Sequence, residues 1–106
     1  MDKEISRLIK QYQLELEALG VKVKKIILYG SHALGKAGKE SDIDLVVVSN
    51  DFKDMDLWER LSLLGRARAG IKRPMEILGF TEKEFAETPI GSFIGDEVKS
   101  KGIVVA

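Results

Sequence analysis

Two short motifs, ten residues apart, carry the residue types that phosphate chemistry requires. Gly30-Ser31 ends an apolar run that begins at Ile26, and Asp42-Ile43-Asp44 opens the next run, which continues to Val48. A glycine turn lets backbone N–H groups approach a phosphate closely. Two carboxylates at positions i and i+2 of a strand point to the same face, where they can share divalent metal. The two motifs together predict half of a phosphoryl-transfer site.

A third carboxylate is needed to complete such a site, and Glu76 is the candidate. It interrupts the short apolar run Met75–Leu78. A charge placed near two other acids is costly unless a cation compensates for it. We therefore expect Asp42, Asp44 and Glu76 to bind Mg²⁺ or Mn²⁺. Glu76, or an aspartate beside it, is expected also to accept the proton of the attacking hydroxyl. The alternative is that Glu76 is an edge-strand charge facing solvent.

The glycine turn and the loop after it are the predicted phosphate contacts. Gly30 and Ser31 are expected to hold the triphosphate, and Lys36 and Lys39 lie in the loop between the two motifs. Lysine ammonium groups are compact donors to phosphate oxygens. The alternative interpretation is a loop glycine next to two strand-edge aspartates that cap a turn.

Composition limits the classes of protein and of site. The chain has 106 residues, 44% apolar and 32% charged, which predicts one domain over residues 1–106. It has no cysteine and one histidine, so thiolate and His-rich zinc sites are excluded. Seventeen basic residues balance seventeen acidic ones, so no net field attracts nucleic acid or a membrane. No apolar stretch has membrane-spanning length and the start lacks a signal peptide, so a cytoplasmic location is expected.

Helical and strand patterns alternate along the chain, which predicts the α/β class. A capping box is predicted at Thr81, and Asp54 or Asp56 is expected to cap the helix before Gly65 or Gly70. The predicted elements are a helix over Ile5–Leu19, a strand over Val21–Tyr29, a short helix followed by a loop over Ser31–Lys39, a strand over Asp42–Ser49, a helix from Leu57, a strand over Met75–Leu78, a brief helix at Phe85, a last helix over Phe93–Val98 and an apolar tail from Ile103.

The positions of the two motifs predict the direction of their strands. Gly30-Ser31 ends the first strand, whereas Asp42 and Asp44 begin the second. Both can meet the same phosphates only if these strands run antiparallel. We therefore expect a small mixed sheet of three or more strands packed with helices, with the second strand buried on both faces.

Four further features have two interpretations each. Trp58 keeps helical spacing with Leu61 and is most simply core, with a partner-docking face as the alternative. Tyr29 is a packed strand residue or a ring that borders the nucleotide, and His32 is a surface residue rather than a catalytic one. The basic cluster is a solvated helix end or a contact for an acidic partner; it comprises Arg66, Arg68, Lys72 and Arg73.

Gly30-Ser31, ten intervening residues and Asp42-Ile43-Asp44 resemble the motif of the minimal nucleotidyltransferases, small members of the DNA polymerase β-like superfamily. The resemblance covers nearly the whole chain. It implies binding of ATP or another nucleoside triphosphate with Mg²⁺, and transfer of a nucleoside monophosphate to an acceptor hydroxyl. Many relatives are encoded beside a helical HEPN protein, in pairs where the small transferase is an antitoxin that adenylylates a tyrosine of its toxic ribonuclease partner.

The residues and the resemblance together predict a Mg²⁺-dependent nucleotidyltransferase that moves AMP from ATP to a hydroxyl of a HEPN-type partner protein. One alternative is a binding module that neutralises a helical partner by occlusion, and another is a subunit that modifies a small molecule such as an antibiotic. Two departures favour occlusion. Glu76 stands where the family more often has aspartate, and His32 and Leu34 stand where many relatives carry arginines.

Overall fold

The computed structural model describes residues 2–38, 41–89 and 91–106, which form one mixed sheet and its covering helices. The helices are α1 (Lys3–Ala18), α2 (Leu57–Ala67), α3 (Glu82–Ala86) and a π-helical segment, the C-terminal helix (Ile94–Lys99); the strands are β1 (Lys25–Tyr29), β2 (Ile43–Val48), β3 (Met75–Phe80) and β4 (Ile103–Val104). Single 3₁₀ turns follow β1 at Gly30–His32 and β2 at Asn50–Phe52. None of the helices in these ranges is long and apolar enough to cross a bilayer.

The strand order in the sheet is β3-β2-β1-β4. β1 pairs antiparallel with both β2 and β4, whereas β2 and β3 run parallel. The predicted mixed sheet and the antiparallel arrangement of the first two strands are therefore confirmed. The end of β1 and the starts of β2 and β3 consequently lie together at one end of the strands, which we call one edge of the sheet.

Alternation along the strands divides the core into two layers. One face packs against α1 and α2, whose contact includes a hydrogen bond of 2.8 Å from the Tyr12 hydroxyl to the Leu64 carbonyl. The other face carries a smaller apolar cluster that includes Ile27, Val46 and Val98 and is covered by α3 and the C-terminal helix. We call this second face the C-terminal face.

Both predicted caps form. Asp56 and Glu59 make a capping box at the start of α2, and Thr81 and Glu84 make a second at the start of α3. Each box pairs N–H groups that a helix start leaves without partners. The Thr81 box places α3 directly after β3.

Two expectations were wrong in part. The short helix predicted to begin at Ser31 is only a 3₁₀ turn over Gly30–His32, and the chain has left the helical region by Gly35, whose φ is +71°. Trp58 is 77% exposed, so it is not a core residue. The buried residues of α2 are Leu64 and Ala67, and at 100° per residue Trp58 points away from the face that they share.

Arg60 forms hydrogen bonds with four segments at the opposite end of the strands, where β2 and β3 end. Its guanidinium donates to the carbonyls of Phe52 (2.7 Å), Met55 (3.1 Å) and Gly79 (3.3 Å). It also makes two hydrogen bonds, of 2.6 and 3.0 Å, with the carboxylate of Glu84. This fork satisfies backbone acceptors that the strand ends leave open.

Candidate active site

Three side chains form a row across the sheet at the opposite edge. Tyr29 of β1 is the register partner of Asp44 in β2, and Asp44 is the register partner of Glu76 in β3. All three have the strand parity of the C-terminal face, which Tyr29 shares with Val46. Neighbouring strands lie about 4.8 Å apart, so the row brings the two carboxyl groups next to each other. Asp44 is half-buried and Glu76 is exposed.

The two carboxyl groups raise the cost of ionisation in this row. The pKa of Asp44 is raised to about 6, first by burial, then by the charge of Glu76 and a side-chain hydrogen bond with it, and less by the charge of Asp42. The pKa of Tyr29 is raised to about 12, by burial and by the charges of Asp44 and Glu76. Negative charge is therefore concentrated at one point of the sheet edge.

Gly30 lets the backbone turn pass directly against the Asp44 carboxyl group. Its φ is +72°, a conformation that side chains disfavour. A Cβ on Gly30 would overlap Oδ2 of Asp44 and lie 3.2 Å from its Cγ. The glycine is thus required twice, for the turn and for the close approach to the carboxylate.

Asp42 and the basic side chains of His32 and Arg73 surround the segment that leads into β2. Asp42 is exposed directly before β2, and its charge contributes to the raised pKa of Asp44. The carbonyl of Ser41, one residue earlier, accepts from His32 Nε2 at 3.2 Å and from Arg73 Nη2 at 3.5 Å. The charge of His32 lowers the pKa of Asp44, opposing the acids. His32 is therefore more than a loop residue, since it helps to hold the segment that carries the carboxylates.

The donor set fits a hard divalent cation. Mg²⁺ and Mn²⁺ prefer carboxylate oxygens, and a cation would relieve the repulsion that raises the pKa of Asp44. Asp44 and Glu76 would be its ligands, with Asp42 next in reach. No group of three acidic or histidine side chains converges closely enough to enclose an ion within residues 2–38, 41–89 and 91–106. Two adjoining carboxylates with an open side suit an ion that is also held by phosphate oxygens.

The predicted phosphate contacts are only partly described. Ser31 lies in the 3₁₀ turn directly after Gly30 and is half-buried. Lys36 is exposed, and its backbone N–H donates to the Ser31 carbonyl at 2.9 Å. Lys39 lies outside the described residues. The structure therefore brings Gly30, Ser31, Asp44 and Glu76 together at one end of the strands.

Sequence reasoning missed an aromatic side chain beside the row. The Phe93 ring stands edge-on to the Tyr29 ring, with centroids 5.9 Å apart and an interplanar angle of 79°. Phe93 matched helical spacing with Ile94 and Val98, which concealed its exposure of 59%. A separate groove of about 750 Å³ opens on the α1 side of the same edge, bordered by His32 and Arg73. Arg73 reaches Glu4 there at 3.5 Å.

Three similar proteins point to the same kind of domain. A protein of Methanocaldococcus jannaschii named "Putative protein adenylyltransferase" is 28% identical over 103 residues, 96% of this chain and 99% of its own length. A crystal structure described as a putative nucleotidyltransferase from Sulfolobus solfataricus has a TM-score of 0.69 at 19% identity, covering 95% of this chain and 78% of its own. A crystal structure of a toxin-antitoxin with AMP-PNP has a TM-score of 0.62 at 18% identity, covering 90% of this chain and 70% of its own.

The two solved structures share the fold, and a family model adds the family. The model described as "Nucleotidyltransferase domain" matches residues 9–102, a span that includes Gly30, Asp44 and Glu76. This chain belongs to the nucleotidyltransferase domain family.

Proposed function

We propose that this nucleotidyltransferase moves AMP from ATP to a hydroxyl of a partner protein, and that it serves as the antitoxin of a HEPN-type toxin. The observation that carries the proposal is the register pairing of Asp44 with Glu76 across β2 and β3, beside the Gly30 turn. Two like charges at neighbouring positions destabilise the apo protein unless a cation is bound. A functional requirement is therefore the simplest reason for their position.

The residues divide the work of the reaction between them. Asp44 and Glu76, with Asp42, would hold Mg²⁺, which when bound neutralises charge on the phosphate oxygens. The backbone of Gly30 and the Ser31 hydroxyl would hold the triphosphate so that pyrophosphate leaves in line with the attacking oxygen. Lys36 and Lys39 are the further phosphate contacts that we propose. Glu76 is exposed and so can accept the proton of an incoming hydroxyl.

A protein acceptor is supported by the relatives and by the shape of the site. The similar protein of M. jannaschii bears the name of a protein adenylyltransferase, and one structural neighbour is a toxin-antitoxin. Glu76 lies in β3, an edge strand of the sheet as described. A large acceptor can therefore approach Glu76 from outside the sheet, which a small closed pocket would not permit.

Occlusion without transfer is the second candidate, and one observation favours it. Asp42, Asp44 and Glu76 do not form a closed cluster of three ligands within the described ranges. In that case the chain would bind its partner tightly and leave it unmodified. The two candidates make opposite predictions for a labelling experiment.

The test is to incubate the chain with Mg²⁺ and a small helical HEPN-type protein as candidate partner, supplying ATP labelled at the α-phosphate or at the γ-phosphate. We expect the partner to gain the α-label and not the γ-label, and a mass corresponding to one AMP. The Asp44→Asn variant should bind the partner and leave it unlabelled. Tight binding with no label from the unmodified chain would establish occlusion, and label on an added small molecule alone would overturn the protein acceptor.

A further inference from the structure

Phe93 exposes an aromatic ring next to the carboxylate row. It is 59% exposed, although its edge contact with Tyr29 keeps it against the C-terminal face. Tyr29 is only 6% exposed and is the register partner of Asp44. The exposed ring is thus linked to the carboxylates through one buried neighbour. More than half of this large apolar side chain is therefore in contact with solvent in the free protein.

The turn around Phe93 is held by its own hydrogen bonds. The Ser92 hydroxyl donates to the Pro89 carbonyl at 2.6 Å and accepts from the Gly95 N–H at 3.0 Å. The Asp96 carboxylate accepts from the Gly91 N–H at 3.0 Å. A Cβ on Gly95 would overlap the Pro89 carbonyl oxygen, so the chain passes tightly through this turn. The ring is therefore presented in a preset position, which lowers the entropy cost of binding a ligand.

The order of Tyr29, Asp44 and Glu76 across the sheet indicates whether the nucleotide or the acceptor lies next to the Phe93 ring. Tyr29, Asp44 and Glu76 follow one another across β1, β2 and β3. Glu76, the proposed proton acceptor, is at the β3 end, so the acceptor hydroxyl enters there. Phe93 touches Tyr29 at the β1 end, the end that continues into the Gly30 turn proposed for the triphosphate. Phe93 therefore lies on the side of the nucleotide and away from the acceptor.

We propose that Phe93 is the platform on which the base of the nucleotide stacks, and that it favours purine over pyrimidine nucleotides. This rests on the proposed function, because it assumes that the triphosphate binds at Gly30 and Ser31. Base–aromatic stacking accepts any base, since every base has a π face. A bicyclic purine covers more of the ring than a pyrimidine does, so the preference follows from contact area.

The first experiment measures binding and needs no turnover. Affinities for ATP, CTP and inorganic triphosphate with Mg²⁺ are compared by calorimetry for the unmodified chain and Phe93→Ala. We expect ATP to bind Phe93→Ala roughly tenfold more weakly, the size of one base–aromatic stack. CTP should lose less, and inorganic triphosphate should bind both proteins equally. Phe93→Tyr keeps an aromatic ring and should bind ATP as tightly as the unmodified chain. If Phe93 had only a structural role in packing, Phe93→Ala would weaken the binding of ATP and of inorganic triphosphate in parallel.

A matched control and a spectroscopic reporter sharpen the result. Trp58 is the only tryptophan and is 77% exposed on α2, on the other face of the sheet, so Trp58→Ala should bind ATP normally. In a Trp58→Phe background, Phe93→Trp places the single tryptophan of the chain at the proposed platform. Its emission should change on adding ATP and stay constant on adding inorganic triphosphate.

The outcomes separate this inference from the function on which it rests. If the unmodified chain binds neither ATP nor triphosphate, the proposed function fails and this inference fails with it. If ATP binds but Phe93→Ala binds it as tightly, the platform is overturned while the proposed function stands. Equal weakening of ATP and inorganic triphosphate would also overturn it, because the ring would then act on the fold of the phosphate site.

Discussion

The carboxyl groups at the two ends of β2 and β3 have opposite electrostatic surroundings. Where these strands end, the Arg60 guanidinium donates to Glu84 and holds the pKa of that carboxyl below its usual range. Where they begin, burial and the charge of Glu76 raise the pKa of Asp44 to about 6. One carboxyl has a fixed cationic partner within the chain, and the other has a second acid. The first end stabilises the fold, whereas the second gathers negative charge, and it is there that we propose a cation binds.

The contrast is visible in the backbone as well. Arg60 binds carbonyls from three different segments, so its end of the sheet is closed by the protein itself. At the other end Gly30 keeps its φ of +72° and removes the Cβ that would fill the space against Asp44. The chain therefore leaves room at the charged end and fills it at the other.

The largest expected effect is the loss of transfer on neutralising the charged end. Asp44→Asn should reduce AMP transfer about 1,000-fold, because it removes a proposed metal ligand and its transition-state stabilisation. The rate of partner labelling measures this. Asp54→Asn, the same change at an exposed position after β2, is the control and should retain full activity. An active Asp44→Asn variant would remove the distinction between the two ends.

The next effect tests the other end. Arg60→Ala should lower the free energy of unfolding by about 3 kcal/mol, because it leaves several carbonyls and the Glu84 carboxylate without their donor. Urea denaturation measures this. AMP transfer by the folded variant at low temperature should be unchanged. Arg60→Lys keeps the charge but not the planar fork, and should recover only part of the loss; full recovery would mean that charge alone matters there.

The smallest effect is the pH dependence of stability without metal. Because the folded pKa of Asp44 is about 6, above the usual value of 3.8, the folded state binds the proton more tightly than the unfolded state. Stability should therefore fall as pH rises from about 4 to about 6. Asp44 is partly solvated, so we expect a loss of about 1 kcal/mol, less than the full shift would give. Thermal unfolding in a chelator should show this fall in the unmodified chain and a flatter profile in Asp44→Asn.

Much of this architecture could be predicted from residue patterns. Gly30 and Ser31 end the first predicted strand and Asp42 and Asp44 open the second, so the two strands had to be antiparallel if both motifs were to meet one ligand, and β1 and β2 do run antiparallel. The capping boxes at Asp56 and Thr81 depend on residues three positions apart, so local sequence contains them. The pairing of Asp44 with Glu76 could be anticipated because strand parity alone sets which side chains share a face.

Other features depend on contacts between distant segments, which local patterns do not contain. Trp58 has helical spacing but lies off the face by which α2 packs, and only the orientation of the helix reveals this. Arg60 binds residues up to 24 positions away, and Phe93 meets Tyr29 only after the sheet has formed. The predicted short helix after Ser31 is a single 3₁₀ turn at Gly30–His32, and Gly35 takes a positive φ soon after it.

The account depends most on Asp44 and Glu76 binding one cation together. A carbon-13 NMR titration of the Asp44 carboxyl, without metal and with saturating Mg²⁺ and ATP, tests this directly. We predict an apparent pKa near 6 without metal, and a marked fall when the cation compensates for the charge of Glu76. In Glu76→Gln the metal-free pKa of Asp44 should already be lower. A pKa that is the same with and without Mg²⁺ and ATP would contradict the shared site.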